Sequence, residues 1–245
     1  LDFVLSVKAS RFITHLKRLK EVDSSLKAFF SSGVLELKEK LGPILWQFPP
    51  NMIFDPEKFE RFFSKLPRNF HEAGTLNGQN KIRHAIEVRN DTFLNPWFVE
   101  LARDYSIAIV IADTAGRWPY IEDLTSDFVY VRLHGDAELY VSGYGEDSLD
   151  FWASRIRTWS QGKEARDHQT LTSLKPEKIP RDVFVYFDND AKVRAPFDAI
   201  ELTKKTRRTY DPFENHPDLD ALTPDWATPF EVSIPPIERG DDLRL

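Results

Sequence analysis

The chain has 245 residues and no cysteine. Disulfides, thiolate metal sites and cysteine nucleophiles are therefore excluded. The absence fits a reducing compartment, so the expected location is intracellular and cytoplasmic. No apolar run approaches the roughly 20 residues that span a bilayer. No secretory signal is visible, and no membrane partner is expected. Four motifs are also missing: G-x-G-x-x-G, a phosphate loop ending in GKS or GKT, G-x-S-x-G and H-E-x-x-H. Their absence weighs against dinucleotide binding, common nucleotide hydrolysis, serine esterase chemistry and zincin proteolysis. Basic charge is sparse, with a net charge of −6. Its dense runs, Lys17-Arg18 with Lys20 and Lys204-Lys205 with Arg207-Arg208, read as solvated helix ends. Nucleic acid is accordingly disfavoured as a partner. The chain opens at Leu1 in an apolar stretch without an initiator Met, which suggests that a strand pair and any targeting signal lie upstream.

What is present alternates. Phe3–Val7, Ile44–Phe48, Ala85–Arg89, Ile107–Ala112, Phe128–His134 and Val183–Phe187 read as strands. Between them, Ser24–Leu41, Asp55–Leu66, Pro96–Tyr105, Ser148–Trp159 and Val193–Thr206 have helical spacing. Gly42-Pro43 is read as the stop of the first helix, and Asp55 with Pro56 as the start of the second. Strand following helix in order predicts a mainly parallel sheet with helices outside. The expected fold class is α/β, a TIM-like (β/α) barrel with its first strands missing; an open doubly wound sheet is the alternative. The barrel domain is placed at residues 1–206. Residues 207–245, rich in Pro and Asp, read as an extended tail. Gly74–Arg83 and Gly162–Arg181 read as polar insertions, the second long enough to be mobile or lid-like.

The strands themselves carry the functional argument. Side chains alternate across a strand. Trp46 and Phe48 oppose Gln47, Ile86 and Val88 oppose Glu87 and Arg89, and Val131 and Leu133 oppose Arg132 and His134. Likewise Val185 and Phe187 oppose Tyr186 and Asp188, and Val7 opposes Ser6 and Lys8. One face is apolar and the other ionisable. The ionisable residues fall at strand C-terminal ends, where α/β folds bind ligands. A purely structural salt-bridge network is the competing explanation.

Within Tyr130–Gly135, Arg132 suits a carboxylate or phosphate, and His134 suits a base, a ligand or an orienting group. Glu87 is a candidate base beside Arg89. Asp188-Asn189-Asp190 and Asp113 offer strand-end oxygens, which serve equally as turn caps. Lys8, with Thr14 and His15, follows the first strand. Tyr140 and Tyr144 follow the Arg-His strand and can stack on a ligand or pack at the rim.

Six strings, "SVKASRFITH", "LGPILWQFPPNM", "IEVRNDTF", "YVRLHG", "YGEDSLDFWASRIRTW" and "VFVYFDNDAKVRAPFDAIEL", resemble successive blocks of the YecE-like family, domain of unknown function 72. The chain looks like a eukaryotic-type member lacking its N-terminal segment. The resemblance implies a TIM-barrel-like fold and no established activity. It also implies characteristic polar residues at Lys8, Thr14, His15, Gln47, Glu87, Arg89, Asp113, Arg132, His134, Tyr140, Tyr144 and Asn189. The family usually has Asn where this chain has Asp188.

The expected function is an enzyme acting on a small polar or anionic substrate. Glu87, His134 and Asp188 would carry acid–base work. Lys8, His15, Gln47, Arg89, Asp113, Arg132, Tyr140, Tyr144 and Asn189 would bind substrate. No metal site and no cofactor is assigned, and the oligomeric state is open. The alternatives are a non-catalytic binder of an anionic metabolite, a metal-dependent hydrolase or isomerase, and a nucleic-acid processing barrel.

Overall fold

The computed structural model describes residues 3–74, 80–190 and 193–206; the tail expected over 207–245 lies outside them. Among the described residues, seven strands and five α-helices follow one another. The strands are β1 (Leu5–Lys8), β2 (Leu41–Gln47), β3 (His84–Glu87), β4 (Ala108–Ile109), β5 (Ile111–Asp113), β6 (Phe128–Leu133) and β7 (Asp182–Phe187). The helices are α1 (Asp23–Phe30), α2 (Pro56–Phe63), α3 (Pro96–Asp104), α4 (Glu146–Ser160) and α5 (Arg194–Thr206).

Every pairing between these strands is parallel. The order is β1-β2-β3-β4 in one sheet and β5-β6-β7 in the other. A single residue, Val110, separates β4 from β5, and its amide still bonds to Ile86 O at 2.9 Å. The fold is therefore mixed α/β with parallel sheets. The described strands do not form a closed sheet.

Local chemistry sets the helix ends. Asp55 caps α2 through Lys58 N, and Asn95 caps α3 through Trp97 N; each helix has proline in its first turn, where no amide partner is needed. Pro196 sits in the first turn of α5 for the same reason. The helix expected over Ser24–Leu41 is broken. Ser31, Ser32 and Gly33 are poor helix formers, and after α1 the chain turns at Gly33 into a short 3-10 segment, Val34–Lys40. Gly42-Pro43, expected to stop that helix, lies inside β2. A side chain at Gly42 would sit 3.1 Å from Leu5 O, so glycine lets β1 pack close. The proline is accommodated where the β1–β2 register shifts between Leu5 and Val7.

Alternation along the strands splits the core in two. Ile44, Trp46, Phe48, Ile86 and Val88 face the helices with Phe59, Phe62, Phe93 and Phe98. Leu45, Ala85, Ala108, Val110, Ala112, Phe128 and Tyr130 form a second cluster on the other face, with Phe184 and Tyr186 against it. Small residues on β3 to β5 make room there for the large rings of β6 and β7. The Tyr130 and Tyr186 rings stack at 5.0 Å, and Tyr130 Oη lies 2.9 Å from Ser6 Oγ on β1. The curled sheets thus bring β1 and β6 together across an apolar floor. The ionisable residues lie above that floor.

Candidate functional site

Because all strands run parallel, their C-terminal ends share one edge. Glu87 ends β3, in register with Gln47 at the end of β2. Lys8 ends β1, while His134 and Asp188 immediately follow β6 and β7. Arg132 comes from β6 and Arg89 from the segment after β3.

These side chains form one network. Arg89 Nε donates to Glu87 Oε1 at 2.7 Å, and Arg132 Nη1 to Glu87 Oε2 at 2.5 Å. Arg132 Nη2 reaches Asp188 Oδ2 at 2.7 Å. His134 Nδ1 lies 2.9 Å from the same oxygen, without the angle of a full hydrogen bond, and its Nε2 has no partner among the described residues. Glu87 is 1% exposed and His134 is fully buried. Lys8 forms no ion pair within 4.0 Å among the described residues, so it stands as a free cation at the rim.

Electrostatics follow from this packing. Burial alone raises the Glu87 carboxyl, but Arg132 and Arg89 outweigh it and hold the group below its ordinary range. Asp188 is lowered in the same way: burial opposes, while His134 and Arg132 prevail. Burial and then Arg132 push the Lys8 amine down, against the pull of Glu87. His15 is lowered by burial and by Arg11, Lys8 and Arg89, which places it in the field of the same cluster; its Nδ1 pairs with Thr14 Oγ1 at 2.8 Å.

An aromatic wall closes one side. The Arg89 guanidinium stacks on Trp118 at 3.7 Å. His134 meets Tyr140 edge-on at 5.4 Å and Trp118 at 6.1 Å. Tyr140 is held at φ 64, a left-handed conformation unusual for a bulky residue. Gly135 before it has φ 129, and a side chain there would run into Glu138 O.

Three of the residues singled out from the sequence brace this wall from behind. Tyr144 Oη donates to Asp113 Oδ2 and accepts from Gly135 N, both at 3.1 Å. Burial raises the Asp113 carboxyl, against those hydrogen bonds. Asn189 is fully buried and donates to Asp198 Oδ2 at 2.8 Å and Ser142 O at 3.1 Å, leaving its Oδ1 without a partner among the described residues. The structure thus gathers Lys8, Glu87, Arg89, Arg132, His134 and Asp188, with Gln47 and His15 beside them. Trp118 escaped the sequence reading. The signal available was Arg117-Trp118 in a loop directly after the strand-end Asp113.

Beyond Trp118, a cleft of about 410 Å³ runs between the loop after β5 and α4. The insertion at 162–181 forms its far side and is tied down. Asp123 accepts from Leu171 N at 2.7 Å and from Thr172 N and Oγ1 at 3.2 and 3.0 Å. Glu122 accepts from Gln169 N and from Arg155 Nε, both at 2.7 Å.

Residues 1–221 match the family described as "Protein of unknown function DUF72". The chain belongs to this family. Two solved DUF72 family proteins show the same fold. One, from Thermotoga maritima, is 22% identical, with a TM-score of 0.65 over 83% of this chain and 73% of its own. Another, from Enterococcus faecalis, is 17% identical, with a TM-score of 0.62 over 85% of this chain and 76% of its own. No curated protein matches. For this DUF72 protein the chemistry therefore rests on its own residues. Among those described, no three His, Asp or Glu side chains gather as a metal site. No described helix is long and apolar enough to cross a membrane.

Proposed function

We propose that this DUF72 protein is an enzyme acting on a small anionic substrate, with its two sheets forming arcs of a (β/α) barrel and the substrate seated over their C-terminal ends. The observation that carries the reading is a charge imbalance. Lys8 shares the field of Arg89 and Arg132, and among the described residues of this network only Glu87 and Asp188 oppose the three cations. An anion supplies the missing charge, meeting exposed Lys8 at the rim beside the paired arginines.

The roles divide by geometry. Glu87 has both oxygens engaged by arginines, so it positions Arg89 and Arg132. Lys8 and the free edge of Arg89 meet the anion. His134 is the acid–base group: Asp188 orients Nδ1 and leaves Nε2 for the substrate. Tyr140 and Trp118 pack edge-on against that ring, so the role requires the wall to open to substrate.

The test is calorimetric titration with inorganic phosphate and small carboxylates, followed by turnover assays on phosphorylated and carboxylated metabolites. Lys8→Met is expected to weaken anion binding at least tenfold. His134→Gln is expected to keep binding and abolish turnover. If no anion distinguishes wild type from Lys8→Met, the reading fails. Binding that persists in both without any turnover would favour a metabolite sensor.

A further inference from the structure

We propose that the substrate has two parts: the anionic end at the strand mouth and a planar aromatic or heterocyclic group in the cleft beyond Trp118. This extends the reading above and rests on it.

The cleft has the character of a ring subsite. Its volume, about 410 Å³, lies within the range of small-molecule sites. Trp118, Tyr120, Phe151 and Trp152 line it and supply its aromatic surface. Asp113, Thr114, Arg155, Asp167 and Gln169 line the rest, and Asp113 and Gln169 can accept hydrogen bonds from a ring substituent. Aromatic faces beside hydrogen-bonding side chains suit a planar group, above all a heterocycle, better than a flexible apolar chain.

The cleft and the mouth share a boundary residue. Trp118 lines the cleft, and its ring carries the Arg89 guanidinium at 3.7 Å. Asp113 lines the cleft too, and its carbonyl accepts the His134 amide at 2.9 Å. Trp118 therefore borders both compartments, and a two-part ligand would pass its ring. Phe151 is 40% exposed although it is a large apolar ring on α4. Arg155 covers one face of that ring at 3.9 Å. The exposed remainder is the surface that a ligand ring would cover.

Isothermal titration of the whole chain with phosphate and with phenyl phosphate separates the two compartments. The ring is expected to raise affinity about tenfold or more over phosphate, the scale set by burying one aromatic group. Phe151→Ala is expected to remove that gain and leave phosphate affinity unchanged. Phe151→Leu, which keeps bulk without the ring, controls for folding and should retain only part of it. Phosphate binding with no gain from the ring, or a gain that both Phe151 variants keep, overturns the cleft and leaves the mouth standing. If neither compound binds, both readings fall together.

Discussion

Arg132 Nη1 stands 2.5 Å from Glu87 Oε2 and joins two strand ends that lie 45 residues apart in the chain. Glu87 is almost wholly buried, so its charge depends on that guanidinium and on Arg89. Arg132→Met leaves a buried carboxylate short of a partner and frees Asp188 as well. The expected loss is about 3–5 kcal/mol of unfolding free energy, read by urea denaturation. Arg132→Lys should recover little, since one ammonium cannot bridge two carboxylates with a planar fork. A loss under about 1 kcal/mol would mean that the network is solvated and weak.

Asp123 governs the insertion at 162–181. It is buried and accepts three hydrogen bonds from Leu171 and Thr172. Asp123→Ala leaves two backbone amides unpaired, at a cost of about 1–3 kcal/mol. The effect is local, so limited proteolysis is the suitable readout. Cleavage within residues 162–181 should accelerate several-fold, while Asp123→Asn, which keeps one acceptor oxygen, should fall between. Equal cleavage rates in all three proteins would show that the contact does not hold the segment.

How much of this was legible beforehand varies with the physics involved. Period-two alternation is a local signal, so the split of Trp46 from Gln47 and of Val131 from Arg132 could be read directly, along with the strand-end location of Glu87, Arg132 and Asp188. Parallel pairing then gathers those ends without further information. The fate of Gly42-Pro43 was not legible, because its place in β2 depends on how closely β1 approaches. The ties of the 162–181 insertion were not legible for a related reason. Its own composition is polar, but buried Asp123 and Glu122 reach it from a loop some 45 residues earlier. Trp118 belongs to the same class: only the fold places it against Arg89.

His84 supplies a pH dependence separate from the charged mouth. Its Nδ1 accepts from Trp46 Nε1 at 3.1 Å, and its Nε2 lies 2.8 Å from Pro67 O. Those partners fix a neutral ring protonated at Nε2, with no place for a second proton. Burial lowers its pKa to about 4, and the Pro67 contact only partly opposes this. The unfolded chain takes up that proton near pH 6.5, so between roughly pH 6.5 and 4 the unfolded state binds more protons than the folded one. Stability therefore falls as pH drops through that window, by about 3 kcal/mol in total from this group. Glu87 and Asp188 act lower. Their depressed values stabilise the fold above the ordinary carboxylate range, and that contribution is lost only as pH falls below it. Urea midpoints measured from pH 7 to 4.5 isolate the histidine. His84→Gln keeps a donor and an acceptor but cannot titrate, so its stability should decline less steeply than the wild type's, with the lowered His15 contributing the remainder. Parallel curves for the two proteins would assign the decline to other groups.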